Sequence, residues 1–328
     1  MIDKTGSIQA TVEARKSKGQ GINTGIMSIL NKIPLGKHKM DVAMKLREVM
    51  LINGILYNSE AWHGVTKAHI KALEAIDEDL LRKFLKSHST TPKEFLYLEA
   101  GAVSIKWIIA QRRINFLKCI LEKDSDELLL KVFKAQKEKP TTGDFVKLVE
   151  QDMSNLNVTY EDITKNTKSD LKQKLKISAK NACFEELKTK LLKHKKLKHI
   201  AYTTFEMQPY LRSPNLQDNE AHAIAALRSK CVKGVKSNFG AMFLNRIHCP
   251  LLCDEENPQV DTQEHLLTCK KIKNTNTNNL TIMSVFGSLS DQENIGRVVA
   301  RILRERARII DQIETEALSS RGPAQSQP

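Results

Sequence analysis

Aromatic residues make up only 5% of the chain, with two tryptophans, and there are only six cysteines. The first scarcity argues against a surface built to stack a run of unpaired bases, since such platforms depend on exposed rings. The second excludes a disulfide scaffold, because so few cysteines cannot staple 328 residues. No apolar run approaches the ~20 residues of a membrane span. The longest, Val49 to Tyr57, is interrupted by Asn53 and Gly54. The start, Met1-Ile2-Asp3-Lys4, lacks a basic region followed by an apolar stretch, so no secretory signal is expected. An intracellular location, in nucleus, cytoplasm or both, with no membrane partner, is the expectation.

Catalytic motifs are missing as well. There are no adjacent aspartates, no phosphate-cradling glycine motif and no nucleophile elbow. Asp77 and Asp79 stand two apart on an expected helix and read as solvated surface groups. Gly19, Gly21 and Gly25 in "GQGINTG" have no strand before them and read as a flexible lead-in. No catalytic residue is nominated, and no activity is expected of this chain alone.

What the chain does have is a hydrophobic fraction of 41%, enough for a core, and a formal net charge of +14. Apolar residues recur at steps of three and four through most of its length. Examples are Val42, Leu46, Val49, Ile52 and Leu56, then Ile70, Leu73, Ile76, Leu80 and Phe84. No segment alternates with period two. The fold class expected is therefore all-α. Thr66 is placed to cap one helix. In "TPKEFLYLEAG", Thr91 and Glu94 suit a capping box and Gly101 a helix end. Changes in composition divide the chain into a lead-in (1–38), a helical core (39–140) and a basic helical region (141–245). A cysteine- and histidine-bearing module (246–273), a polar linker (274–289), a terminal helix (290–318) and a disordered tail (319–328) follow.

The module carries Cys249, Cys253, His265 and Cys269. Two short-spaced pairs of soft donors suit a tetrahedral zinc ion, and residues four apart on a helix share one face. Asp261 or Thr262 could cap that helix. Three residues separate the first pair, which demands a wider turn than the commoner two, and His248 stands beside Cys249 as a competing ligand. One structural Zn2+ is expected, with no position left open for water. The alternative is a helix end with Cys269 buried and His265 at the surface. Cys119, Cys183 and Cys231 sit among apolar neighbours and read as buried.

Lysine is dense in the second half. Lys172, Lys176 and Lys180 fall one turn apart, and "LKTKLLKHKKLKHI" adds Lys188, Lys190, Lys193, Lys195, Lys196 and Lys198. Lys270 and Lys271 adjoin Cys269, and Arg112 and Arg113 are paired in "QRRINFL". Such residues neutralise phosphates and release counterions, which makes RNA and/or DNA the expected partner. A solvated basic face is the competing reading, and one of the two arginines could pair with an acid instead.

Several stretches, in this order, resemble the region downstream of the polymerase core in non-LTR retrotransposon reverse transcriptases. They are "LYNSEAW", "LEAIDEDLLRKFL", "TPKEFLYLEAG", "RRINFL", "EMQPYLRS" and "DTQEHLLTC", and the likeness runs from about Ile8 to Glu316. The resemblance implies a helical thumb and connection followed by a CCHC zinc knuckle that helps hold RNA template or DNA target. Cys249, Cys253, His265 and Cys269 would occupy the ligand positions of that knuckle. It also implies a protein partner, the catalytic core of a reverse transcriptase. The palm's Tyr-x-Asp-Asp motif is absent from the sequence, so polymerase activity does not carry over. A non-catalytic nucleic-acid-binding protein is thus expected first. An accessory part working beside a separate palm, and a helical scaffold for an acidic protein, are the alternatives.

Overall fold

The computed structural model describes residues 8–33, 39–198, 200–232, 249, 251, 253, 263–272 and 281–319. The roles expected for His248, Asp261, Thr262, the Asn274–Asn279 linker and the tail from 320 onward lie outside them. Among the described residues the regular structure is helical throughout, with no strand, so the all-α expectation holds.

Helix α1 (Gln9–Lys32) lies against α4 (Lys67–Phe84). It runs unbroken through Gly19, Gly21 and Gly25, which corrects the expected flexible lead-in. The reason is packing: a Cβ on Gly19 would stand 2.9 Å from Ile76, so a side chain there would push the two helices apart. Helix α2 (Lys39–Leu46) passes into a π-helical stretch, Arg47–Ile52, and a short α3 (Asn53–Ile55). Thr66 caps α4 as expected. Its hydroxyl accepts from the His69 amide at 3.3 Å while His69 Nδ1 accepts from the Thr66 amide at 3.2 Å.

Helix α5 (Lys93–Ala100) begins differently from the expectation. Pro92 is its cap, without a side-chain bond; the buried Thr91 hydroxyl has no partner, and Glu94 faces His194 Nε2 at 3.2 Å. Its end is as expected, with Gly101 in the left-handed region at φ 61°. A Cβ at Gly101 would also lie 2.4 Å from the Met207 amide nitrogen, so both conformation and space require glycine.

Helix α6 (Ile105–Leu121) is the central element, touched by α4, α7 (Leu128–Glu138), α8 (Phe145–Leu156), α9 (Tyr160–Lys165) and α10 (Lys168–Leu191). The core it anchors is continuous across residue 140. Along α10 the buried residues are Leu171, Leu175, Ala179, Cys183, Leu187 and Leu191, spaced strictly by four. Each such step advances the stripe by about 40° around the axis, or roughly 200° in all. Helix α10 packs against α6, α5 and α8. Helix α11 (Asp218–Arg228) packs on the long α13 (Leu289–Ser319), and α12 (Gln263–Thr268) also lies against α13.

Two buried charge centres lock these helices. Arg47 in the π-helical stretch donates twice to Asp77 of α4, both at 2.6 Å, and once to the Val103 carbonyl at 2.9 Å. The Tyr97 hydroxyl donates to the same carboxylate at 2.9 Å. Asp77 is fully buried, which corrects its reading as a solvated group; Asp79 is exposed. Burial, reinforced by Asp77, drives the Tyr97 hydroxyl well above its ordinary pKa. In the second centre Glu99 accepts from Arg228 Nε at 2.5 Å, Tyr210 at 2.7 Å and Tyr202 at 2.5 Å. These partners join α5 to α11 and to the 3-10 turn Pro209–Arg212. Of the cysteines outside the module, Cys183 is buried as expected and Cys231 partly so, but Cys119 is exposed because it falls on the outer side of α6.

Candidate metal centre and basic surface

Helix α12 brings His265 to one side of a pocket that Cys269, immediately after the helix, and Cys249 and Cys253 complete. The four ligand atoms all lie within 4.8 Å of one another. Cys249 Sγ and Cys269 Sγ are 3.8 Å apart, and Cys253 Sγ is 3.4 Å from His265 Nε2. A tetrahedral ion with metal–sulfur bonds of about 2.3 Å and metal–nitrogen bonds of about 2.0 Å requires edges of about 3.5–3.8 Å. These two spacings match such edges, and the others, all within 4.8 Å, exceed them by at most about 1 Å with the three-residue interval between Cys249 and Cys253 in place. Cys249 and Cys269 are buried and Cys253 and His265 partly so.

The donors fit a metal chemically as well. Burial pushes the Cys249 and Cys269 thiols above their ordinary pKa, and each has another thiol close by. A divalent cation at the centre of the cluster would favour the thiolate forms, and three thiolates with an imidazole form a soft set. With protein atoms at all four corners, such an ion would hold the segment together and leave no corner for substrate. Leu251, Leu266 and Leu267, beside the ligands in the chain, are buried.

The structure sorts the basic residues into paired and unpaired sets. Arg113 is buried, and its Nη1 donates to Asp152 Oδ2 at 2.5 Å. That removes it from a phosphate-contacting surface: its charge is neutralised inside the α6–α8 interface. Arg112 donates to the Leu56 carbonyl at 2.5 Å and to Asn53 Oδ1 at 2.7 Å, fixing the end of α3 to α6. Lys180 pairs with Glu206, Lys190 with Glu186 at 2.5 Å, and Lys188 with Glu185 at 3.4 Å. Lys188 also sits 4.7 Å over the Phe184 ring.

By contrast Lys172, Lys176, Lys193, Lys195, Lys198 and Lys271 are exposed and make no ion pair among the described residues. Lys270 is exposed too, and Lys196 is partly buried, with its pKa lowered by that burial. The run Lys188–Lys198 is not one helix. Helix α10 stops at Leu191, and hydrogen-bonded turns carry Lys193 to Lys198. Lysine density drew attention to these residues and passed over Lys67 and Lys71. That pair lies one turn apart on α4, exposed and likewise without an ion pair among the described residues. Their spacing in the sequence was the available signal.

No family model, curated protein or solved structure matches the chain.

Proposed function

We propose that this chain binds nucleic acid, RNA or DNA, by its phosphates and does no chemistry on it by itself. The observation that carries the reading is the set of exposed lysines that make no ion pair, Lys172, Lys176, Lys193, Lys195, Lys198 and Lys271. Exposed lysines without an ion pair among the described residues also occur singly or in pairs elsewhere, as at Lys18, Lys67, Lys71, Lys134 and Lys147, but five of them fall together between Lys172 and Lys198. Unpaired ammonium groups at the surface are the ones free to displace counterions from a polyanion. A zinc ion in the Cys249, Cys253, His265 and Cys269 cluster would order the segment that carries Lys270 and Lys271. The likeness to the thumb, connection and knuckle of retrotransposon reverse transcriptases points the same way, and suggests intracellular work beside a polymerase core.

The test is a salt titration of binding to duplex and single-stranded RNA and DNA. A slope of log affinity against log salt of about −5 on duplex DNA and about −4 on single strands is expected for five or six phosphate contacts. An affinity that does not change between low and moderate salt would overturn the reading. Elemental analysis of the purified protein should give about one zinc per chain. Primer extension with and without a reverse-transcriptase core distinguishes a free-standing binder from an accessory subunit.

A further inference from the structure

A cleft of about 450 Å3 opens where the N-terminal half of α4 faces α6, α8 and α10. Its size is within the range usual for small-molecule sites. The charges around it are unequally distributed. Deep in the cleft they cancel: Arg113 pairs with Asp152 at 2.5 Å, and Lys93 with Glu74 at 3.1 Å. At the mouth they do not. Glu186 is the one carboxylate that accepts from Lys106, at 3.0 Å, and Lys190, at 2.5 Å, and it is further engaged by Trp107 Nε1 at 2.9 Å. Lys67 and Lys71 line the same cleft and have no ion pair among the described residues. Four ammonium groups thus line this part of the cleft against one carboxylate, which already accepts from two of them and from Trp107.

The walls are of another kind. Helix α8 presents Leu148, Gln151 and Asn155 to the cleft, and α4 contributes Ile70 opposite. An apolar wall edged by amides, beside a surplus of ammonium groups, suits a ligand with a flat heteroaromatic part and a multiply charged tail. The Nε–H of Arg113, buried at the back of the cleft, makes no hydrogen bond, so the site retains donor capacity that its own residues do not use.

We infer that this cleft binds a nucleotide, its phosphates on Lys67, Lys71, Lys106 and Lys190 and its base against the Ile70 and Leu148 walls. The inference does not depend on the lysines of the proposed nucleic-acid surface, none of which lines the cleft. The ligand could be a free nucleotide or the phosphorylated end of a polynucleotide, and the experiment separates the two.

Trp107 lines the cleft, so Trp62→Phe leaves a single fluorescent reporter there. Titration of that variant with ATP should give a saturable fluorescence change. Calorimetry on the unaltered chain provides the same constant without relying on the variant. The double substitution Lys67→Glu and Lys71→Glu, at two exposed positions, should weaken ATP at least ~10-fold, as expected for reversing two contact charges. Inorganic triphosphate should bind more weakly than ATP, and adenosine more weakly still. A 5′-triphosphorylated oligonucleotide that matches ATP assigns the site to a chain end, and one that does not assigns it to the free nucleotide; either supports the cleft. Absence of ATP binding by both readouts, or equal affinity in the doubly substituted protein, overturns the inference. Neither result bears on the salt slope set by Lys172 and Lys176, so the two readings fail separately.

Discussion

The helical body and the cysteine-bearing module hold themselves together by different physics. In the body, large side chains such as Phe95, Tyr97, Ile26 and Leu51 are fully buried, and two internal charge centres pin the helices. Among the described residues around the Cys249, Cys253, His265 and Cys269 cluster, the buried apolar side chains are Leu251, Leu266, Leu267 and Ile272, and helix α12 has six residues. That described apolar area is small against the conformational entropy of ordering a segment, which four bonds to an ion in the cluster would offset. The comparison predicts where each half is vulnerable: the body to a lost core residue, the module to loss of the ion its four ligands would hold.

Removing the metal is the severest way to break that comparison. A structural zinc ion supplies on the order of 10 kcal/mol to the segment it closes. Treatment with a strong chelator, or Cys269→Ser, should therefore abolish bound metal and expose the amides of α12 to rapid hydrogen exchange. Helix α12 has only six residues, so far-ultraviolet circular dichroism should change little, and α4 to α10 should keep their protection. Loss of protection in α6 on chelation would show that the two regions are one cooperative unit after all.

Within the body, Asp77 is the position of largest expected effect. Asp77→Ala leaves the buried Arg47 guanidinium without its carboxylate and the Tyr97 hydroxyl without its acceptor. Breaking a buried pair from one side costs about 3–5 kcal/mol, to be read from the urea midpoint at unchanged slope. Replacing both partners, Arg47→Met with Asp77→Leu, should recover most of that loss, because no uncompensated charge remains. Metal content should be unaffected in either variant.

His222 sharpens the comparison through pH. Its Nε2 lies 3.0 Å from the Phe84 carbonyl, which makes it the protonated nitrogen, and the buried Nδ1 has no partner. Burial, with Lys86 and Lys39 adding repulsion against the opposing pull of Asp218, lowers its pKa from 6.5 to about 4. The unfolded chain thus takes up the proton first. Stability contributed by the neutral ring is complete above about pH 6.5 and declines as pH falls toward 4. The loss is at most about 3 kcal/mol. Chemical denaturation at a series of pH values should show it, and His222→Gln should flatten the profile between these limits.

How much of this was legible in the sequence depended on whether the signal was local. Helical period gave α4, α6 and α13, and Thr66 and Gly101 marked boundaries that the structure keeps. The cluster of Cys249, Cys253, His265 and Cys269 was legible from spacing, because ligand pairs are close in the chain. What escaped depended on distant partners. Asp77 reads as a surface acid until Arg47, thirty residues earlier, is seen against it. Arg113 reads as a phosphate contact until α8 delivers Asp152. Gly19 reads as flexibility until Ile76 is seen pressed against it. Thr91 shows the opposite failure: its local capping signature is present, but the ring of Pro92 takes the cap position and Glu94 turns to His194.

The smallest effect on stability belongs to the lysines of α10, and it separates surface from core most cleanly. Lys172 and Lys176 stand one turn apart, exposed and without ion pairs among the described residues, beside a stripe that is buried at Leu171 and Leu175. Substituting both by glutamine removes two charges and no packing, so the unfolding free energy should shift by less than about 0.5 kcal/mol. If these groups contact phosphate, the salt slope of nucleic-acid binding should fall by about 2 on duplex DNA and by somewhat less on single strands. Lys180→Gln is the internal control, because its ammonium is already engaged by Glu206 and should contribute less to the slope. Equal slopes for parent and doubly substituted protein would assign the row to solvent and move the phosphate-binding surface to Lys193, Lys195 and Lys198, beyond the end of the helix.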